Sequence, residues 1–511
     1  MKKCLIVLML LLGIGVTAKT FSYEQVSSMP KSAEKDYYIW RFLNQKSTTK
    51  KQSIELIKDV RYASPKLKKA YKKKTGKKLA KKVKYRKPIS PEAKARLKTK
   101  QNHVKSIIKS KEPFKAWLKE KNKTKIFILN NAGKSGRAKL DQTMPDKLWR
   151  ELTTHASFNQ SIKRINKEGH KYLKRSFLHA PAKGNKLSYK THMLLGFNAI
   201  SHKKNKLASI YFAEASRKAR DRENADRAMF WNYLVTKNKS ILKTLIKSYD
   251  INIYTLLARD ILKLKYPETI TPALPKAKLL SAKDISSPIY WAKLKKKIFS
   301  KKTNLNALAK KYKSSGSIGY YTYIKSKASR EVEQYFPMPH QELLKKLPKS
   351  RQAILYAIAR QESRFIPGSI STSYALGMMQ IMPFLVDHLA KQRKEKIDYD
   401  DMFDPHKSLV YANEHMNYLT KWLQHPLFIS YAYNAGIGYT RRMLRGKNFK
   451  SIKGFEPYLS IERLNNAQAN RYGKHVLANY VIYMNKLGVP LRLIDLMATL
   501  HIPSKTDKFR K

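Results

Sequence analysis

Short segments with helical spacing follow one another along this chain, and no strand pattern separates them. Residues 207–221, 225–237 and 240–262 are three such segments. Only 18 of the 511 residues are glycine, and strong helix formers are abundant, which favours helix over sheet. Consecutive short helices without strands predict stacked helix pairs, as in an α-solenoid. We therefore predict an all-α protein with an α-superhelical N-terminal part.

Prolines divide the chain into segments. Three prolines between residues 267 and 275 interrupt the helical pattern, and the sequence Tyr-Phe-Pro-Met-Pro at 335–339 interrupts it again, because proline cannot continue a helix and restricts the residue before it. A chain of this length predicts about three domains. The predicted segments are a superhelical domain over 19–275, a helical linker domain over 276–345, a compact α-rich domain over 346–497 and a basic tail over 498–511.

The N-terminus has the pattern of a secretory signal peptide. Lys2 and Lys3 precede an apolar or small run over 4–18 that ends in small residues. This run is shorter than the roughly 20 residues that a membrane-spanning helix needs. We predict cleavage after Ala18 and export, the alternative being an uncleaved anchor. The mature chain would then contain no cysteine and no disulfide.

The net charge of +72 comes from 107 Lys and Arg against 35 Asp and Glu. Such a charge indicates either a solvated basic surface or a polyanionic neighbour. Because an exported protein meets envelope polymers, no nucleic-acid partner is expected, and anionic wall polymers are the candidate partners. Residues 66–87 contain 13 Lys or Arg and no acid. We interpret this run as a solvated helix or helix pair, with a dedicated polyanion site as the alternative.

A carboxylate ends an apolar helical stripe in the C-terminal part. Ile354, Ile358 and Glu362 are four residues apart and share one helix face, and Pro367 stops the helix just beyond. Burial against apolar walls keeps a carboxyl group protonated to higher pH, as a general acid toward a glycosidic oxygen requires. The alternative for this segment alone is a surface glutamate at a helix end.

Three motifs in fixed order extend this interpretation. Residues 362–363 read Glu-Ser, residues 377–380 read Gly-Met-Met-Gln, and residues 432–436 read Ala-Tyr-Asn-Ala-Gly. In this order and spacing they resemble the motifs of the soluble lytic murein transglycosylases, and the resemblance covers about residues 335–495. It implies a lysozyme-like catalytic fold, and it implies that the upstream helical array closes into a ring.

The resemblance also implies an activity. Glu362 would protonate the oxygen between N-acetylmuramic acid and N-acetylglucosamine, then act as base on the muramic 6-hydroxyl, so that a 1,6-anhydro ring closes without water. The protein would be a periplasmic, monomeric lyase acting on peptidoglycan glycan strands, without metal or cofactor. The residues that would bind substrate or line the groove are Ser371, Gln380, Met382, Tyr433, Asn434 and Glu462.

The number of carboxylates near the scissile bond distinguishes the possible mechanisms. Glycosidases with two carboxylates need a second acid across the bond, whereas substrate-assisted enzymes do not. After Glu362 the next acid is Asp387, so a substrate N-acetyl group as internal nucleophile is the consistent mechanism. A correctly placed distant acid would favour a goose-type lysozyme-like hydrolase instead. Loss of Glu362 or of the Tyr-Asn-Ala-Gly segment would favour a non-catalytic wall-binding scaffold, but both are present.

Two departures from the family pattern affect the groove. Tyr374 stands where the family has a small residue, so a reshaped groove wall is expected. Residues 468–470 read Gln-Ala-Asn in place of Glu-Thr-Arg, which places contacts to the peptide stem in question. Tyr472 is interpreted as packing rather than chemistry. Five histidines show no metal-ligand spacing and are expected at the surface: His388, His406, His415, His425 and His475.

Overall fold

The structure, a computed structural model, describes residues 19–79 and 90–510. The predicted signal peptide and the end of the basic run, residues 80–87, lie outside this part. Within it the chain forms thirty α-helices and four short 3-10 turns, and its only β-type pairs are isolated bridges. The prediction of an all-α protein is confirmed for these residues. Every helix among them is too short or too polar to span a bilayer.

Contacts divide the chain into two compact units. One unit comprises Met1–Lys81 together with Tyr266–Lys511, and the other is Lys82–Lys265. This division groups the N-terminal helices with the C-terminal part of the chain. The domain boundaries predicted from the prolines, at residues 275, 345 and 497, stay a prediction.

Twelve helices form the described part of the unit Lys82–Lys265: α5 (Pro91–Lys109), α6 (Pro113–Lys119), α7 (Asn122–Asn131), α8 (Gly133–Lys139), α9 (Asp146–Thr153), α10 (Phe158–Glu168), α11 (Lys171–Ser176), α12 (Tyr189–Ser201), α13 (Asn205–Lys218), α14 (Arg222–Thr236), α15 (Lys239–Leu245) and α16 (Ile253–Ile261). Helix α13 packs against both α12 and α14. Phe197, Phe212 and Trp231 join these three helices, with the Phe197 and Trp231 ring centroids 4.9 Å apart. Neighbour-on-neighbour packing is the arrangement predicted for a solenoid.

The other unit begins with four helices: α1 (Tyr23–Ser27), α2 (Ala33–Leu43), α3 (Lys50–Leu56) and α4 (Pro65–Thr75). A serine or threonine side chain caps the N-terminus of each by accepting a backbone N–H, as such residues do at helix starts. In α2 the cap is Ser32, whose side chain accepts the Lys35 N–H. Helix α4 contains the described helical part of the basic run.

Five helices follow between residues 282 and 344: α17 (Ala282–Ser286), α18 (Pro288–Ile298), α19 (Leu305–Lys310), α20 (Ile318–Ala328) and α21 (Gln341–Leu344). Trp291, Leu308 and Tyr320 belong to a small core between these helices, and Ile366 from the following segment packs into the same core. This core therefore fixes the chain shortly after Glu362.

Nine helices complete the unit: α22 (Lys349–Glu362), α23 (Pro383–Gln392), α24 (Pro405–Thr420), α25 (Pro426–Ala435), α26 (Ile437–Arg445), α27 (Tyr458–Glu462), α28 (Ala467–Lys486), α29 (Leu493–Thr499) and α30 (Pro503–Thr506). Helix α28 packs against α22 and α25. At the second contact a Cβ on Gly473 would lie 2.2 Å from the Tyr431 ring, so only glycine allows this approach. In α24 the side chains of Leu409, Met416 and Leu419 are buried.

Helix α2 docks on the loop between α22 and α23 and on the turn before α24. Trp40 stacks on Tyr374 and on Tyr399, with centroid distances of 5.3 and 5.9 Å. The Tyr374 hydroxyl donates to the backbone oxygen of Asp36 at 3.0 Å. Tyr374 is thus held against the N-terminal helix, which explains why this position carries a large side chain.

The Arg41 guanidinium completes the docking of α2. It donates to both carboxylate oxygens of Asp398, at 3.1 and 2.6 Å, and to Asp400 at 3.0 Å. The Arg41 and Asp398 side chains are each only 5% exposed. Burial raises the pKa of Asp400, and the Arg41 charge opposes that rise. This is a buried ion network between segments far apart in sequence.

The C-terminal residues pack on the same unit. The Arg510 guanidinium pairs with Asp507 at 2.7 Å and donates to the backbone oxygen of Leu500 at 3.0 Å. The backbone N–H groups of Gln424 and His425 donate to Thr506. The segment predicted as a basic tail is therefore attached to the helices before it.

Candidate active site

Glu362 is the last residue of α22. Ile354 and Ile358, on the same helix face, are buried. The Ser363 side chain stabilises the helix end, because its hydroxyl donates to the backbone oxygen of Met378 at 2.8 Å and accepts from the Ile366 N–H. The bond to Met378 connects the Glu-Ser motif at 362–363 with the Gly-Met-Met-Gln motif at 377–380.

The Glu362 carboxyl group is surrounded by protein although its residue is only half-buried. Burial raises its pKa to about 7, and the Tyr472 hydroxyl opposes part of this rise. Within the described part of the chain, no second carboxylate is among the causes of this shift. A carboxyl group with this pKa is protonated in a large fraction of molecules at neutral pH, and it can still release its proton.

Two tyrosines stand next to Glu362. The Tyr433 hydroxyl donates to the backbone oxygen of Met379 at 2.8 Å. Burial raises the pKa of Tyr433, and the negative charge of Glu362 raises it further. The second tyrosine, Tyr472, is buried on α28 and its pKa responds in the same way. The three side chains therefore share one electrostatic environment.

Tyr472 corrects the interpretation made from sequence. Its hydroxyl is buried and forms no hydrogen bond of ordinary geometry within the described residues, yet it faces the Glu362 carboxyl closely enough to lower the pKa of Glu362. Tyr472 thus packs and also acts on the carboxylate. A tyrosine in an apolar stripe is a signal for this, because a buried hydroxyl requires a polar neighbour.

The second motif forms a tight loop over residues 376–381. Leu376 and Ile381 exchange two backbone hydrogen bonds of 2.9 Å. Gly377 has a φ of +73°, and a Cβ at this position would lie 1.8 Å from the Met402 oxygen, so the loop requires glycine here. The Gln380 amide donates to the backbone oxygens of Ser369 and Gly377 and so holds the loop itself.

The remaining predicted groove residues are Ser371, Met382, Asn434 and Glu462. The Ser371 hydroxyl accepts the Ala375 N–H at 2.9 Å and caps its own turn. Met382 and Asn434 are half-buried at the start of α23 and near the end of α25. Glu462 is close enough to Tyr431 to raise the pKa of that tyrosine, after the larger effect of burial.

The structure therefore joins Glu362, Tyr433 and the 377–380 loop into one site. Residues 468–470 read Gln-Ala-Asn where the family has Glu-Thr-Arg. The Asn470 amide donates to the backbone oxygen of Ile461 at 2.6 Å. Asn470 thus attaches α28 to the helix that carries Glu462, through a neutral contact.

Three of the five histidines make contacts within the domain. His475 is 3.1 Å from the Gln361 side-chain oxygen, next to Glu362. His415 lies against the Tyr433 ring at 5.6 Å, and burial lowers its pKa to about 4. His425 is 2% exposed and caps α25. The expectation of a surface position is wrong for His425, because its ring bonds the Leu496 oxygen across the fold.

Known proteins match the same region. Residues 343–455 match the family model described as a transglycosylase SLT domain. The soluble lytic murein transglycosylases of Salmonella typhimurium and Escherichia coli K12 are each 28% identical to this chain, over 164 and 163 residues. Each alignment covers 31% of this chain and 25% of the relative. The chain thus spans about a quarter of the length of these relatives.

Two solved structures align over most of the chain. They are the lytic transglycosylase Slt of Pseudomonas aeruginosa, as an inactive mutant, and the 70 kDa soluble lytic transglycosylase of Escherichia coli. Both have 15% sequence identity and a TM-score of 0.40, and the alignments cover 93% and 94% of this chain and 90% of each structure. Through residues 343–455, this chain is thus similar to the transglycosylase SLT domain, and it resembles soluble lytic murein transglycosylases over about 160 residues.

Proposed function

We propose that this protein is a lytic transglycosylase that cleaves the β-1,4 bond between N-acetylmuramic acid and N-acetylglucosamine in peptidoglycan. The observation that carries the proposal is the Glu362 carboxyl group, whose pKa of about 7 results from burial beside two tyrosines. The relatives' names, soluble lytic murein transglycosylases, support the same substrate class.

In the proposed reaction Glu362 acts twice. Its carboxyl proton passes to the glycosidic oxygen as the bond from that oxygen to the muramic C1 breaks. The oxygen of the substrate's own N-acetyl group bonds to C1, so the positive charge that develops there is spread over an oxazolinium ring. The Glu362 carboxylate then takes the proton of the muramic 6-hydroxyl, whose oxygen displaces the N-acetyl oxygen from C1. The products are a 1,6-anhydro end and a protonated Glu362, ready for another cycle.

The surroundings of Glu362 support one carboxylate rather than two. A hydrolase with a second acid needs that carboxylate across the scissile bond, where its charge would raise the pKa of Glu362. The influences on this pKa are burial and Tyr472, in the part of the chain that the structure describes. The proposed roles of the neighbours are to bind the glycan and to hold the intermediate: Ser371, Gln380, Met382, Tyr433, Asn434 and Glu462.

The proposed site of action is the periplasm, reached through the signal sequence over residues 1–18. A chain with 107 Lys and Arg against 35 Asp and Glu attracts anionic wall groups, including stem-peptide carboxylates. This attraction acts over about 8 Å at physiological ionic strength. We expect it to increase the rate of encounter with the wall rather than to select the bond that is cleaved.

Mass spectrometry of the soluble products from purified sacculi tests this function. We expect muropeptides ending in 1,6-anhydro-N-acetylmuramic acid. Reducing muramic ends would indicate hydrolysis by a goose-type lysozyme-like enzyme and would overturn the proposed chemistry. A folded protein that binds sacculi and releases no product would instead be the wall-binding scaffold.

Tyr472→Phe tests the electrostatic part of the proposal. The hydroxyl lowers the pKa of Glu362, so its removal is expected to raise that pKa. Because the acid form of Glu362 starts the reaction, the fall of kcat/KM with rising pH should move to higher pH. The measurement is the pH profile of kcat/KM on a soluble glycan fragment, with Tyr480→Phe, from the same helix, as control. An unchanged profile would remove Tyr472 from the site.

A further inference from the structure

Three side chains with metal-binding atoms meet on the surface of the unit that contains Glu362. The Glu342 carboxylate lies 3.8 Å from Nδ1 of His340 and 3.6 Å from Nε2 of His406. All three potential ligand atoms lie within 4.8 Å of one another. The two imidazole rings meet edge to face, with centroids 5.4 Å apart. Three ligand atoms thus converge from two separate chain segments.

These distances fit a small tetrahedral ion. Zinc binds His nitrogen and carboxylate oxygen at about 2.0–2.2 Å, so neighbouring ligands in a tetrahedral site are about 3.4 Å apart. The carboxylate-to-nitrogen distances of 3.6 and 3.8 Å exceed this value by a few tenths of an ångström. Glu342, whose side chain is 61% exposed, is free to make this small movement. The two histidine ligand atoms lie within 4.8 Å of each other, so the rings have to approach by at most about 1.4 Å to reach the tetrahedral spacing.

The backbones that carry the histidines are held in place. His340 lies at the start of α21 with a φ of +56°, and the oxygen of the preceding Pro339 accepts the Tyr356 hydroxyl at 3.0 Å. His406 is the second residue of α24, whose N-terminus Asp404 caps by accepting the Lys407 N–H. Little ordering cost would therefore oppose ligand binding, since the histidine backbones are already fixed.

Both rings also offer free nitrogen atoms. The neutral form of each ring has one nitrogen with a free lone pair, and this is the form that binds metals. Besides His406, the charged groups that face His340 are Glu342 and Asp404, and both are acidic. The charged groups around His340 are therefore acidic, whereas the chain as a whole has a net charge of +72.

We propose that His340, Glu342 and His406 bind one divalent transition-metal ion, with Zn²⁺ as the best-fitting ion and water as the remaining ligand. Two imidazoles and one carboxylate are a donor set that suits zinc and its neighbours rather than Mg²⁺ or Ca²⁺. The bound ion would connect the segment that leads into α22 with α24. No motif predicted this site, because the histidines are far apart in sequence and only the fold brings them together.

Zinc titration of the full chain, after treatment with a chelator, tests the proposal. Calorimetry with ZnCl₂ is expected to show one ion per chain, and Zn²⁺ should raise the Tm, because an ion that binds only the folded state stabilises it. Co²⁺ in place of Zn²⁺ should give the visible absorption of a tetrahedral site. These measurements do not depend on activity, so they are independent of the proposed function.

His406→Asn and Glu342→Gln are the decisive variants, and His388→Asn is the control. Both altered side chains are more than half exposed, so the variants should fold with the metal-free Tm of the wild type. We expect each to weaken Zn²⁺ binding at least tenfold and to abolish the rise in Tm, while His388→Asn behaves as wild type. Stoichiometric binding that survives both substitutions would overturn the proposal, and so would a wild-type chain that binds no Zn²⁺.

Discussion

Glu362→Gln is expected to reduce turnover of peptidoglycan by at least about a hundredfold, the lower end of what a positioned acid–base group contributes. Glutamine keeps the shape of the side chain but has no transferable proton. Glycan binding should persist, because the 377–380 loop and Tyr433 are held by backbone contacts that do not involve Glu362. The measurement is product release from sacculi alongside binding of soluble glycan.

Unfolding at several pH values provides the control for this variant. The folded-state pKa of Glu362, about 7, is above the ordinary value of 4.5, so wild type loses stability as the pH rises from 4.5 through 7. Glutamine does not titrate. The variant should therefore exceed the wild type in stability above pH 7, by up to about 3 kcal/mol, and the gap should shrink toward pH 4.5. Normal turnover by the folded variant would exclude Glu362 as the acid.

Arg41→Ala is expected to destabilise the unit that contains it by about 3–5 kcal/mol, the usual cost of removing one partner of a buried ion pair. The substitution leaves the Asp398 and Asp400 carboxylates buried without their cation. Urea unfolding at pH 7, followed by tryptophan fluorescence, measures the change. The loss should decrease at low pH, where protonation removes the uncompensated charges.

Lys31→Ala is the matched control for Arg41→Ala. Lys31 pairs with Asp59 at 2.9 Å, but its side chain is 64% exposed, and exposed pairs contribute about 0–1 kcal/mol. Asp59 also keeps its bond to Lys35. Equal, small losses from both substitutions would show that the Arg41 network does not hold α2 in place.

Local sequence patterns predicted the helical segments and Glu362 as the candidate general acid. The four-residue spacing of Ile354, Ile358 and Glu362 predicted the helix whose end carries the carboxylate. The resemblance carried by the three motifs predicted that Gln380 and Tyr433 belong to the same site as Glu362. All of these depend on residues within a few helical turns of one another or on a resemblance carried by contiguous residues.

Distant contacts explain what the sequence analysis missed. Tyr374 was expected to reshape a groove wall, but it binds a helix more than 300 residues earlier in the chain. Tyr472 acts on Glu362 because α28 packs on α22. His425 is buried because its ring reaches the Leu496 oxygen. Spacing along the chain carries no information on such pairs.

The docking of α2 sets an order on folding. Helix α2 lies more than 300 residues before its partners Tyr374 and Asp398, so Arg41 and Trp40 can pair only after a very long loop has closed. Helices α12 to α14, in contrast, contact their immediate neighbours, and contacts close in sequence form fastest. We therefore expect these helices to pack early in folding, and the unit that carries Glu362 to complete the docking of α2 late.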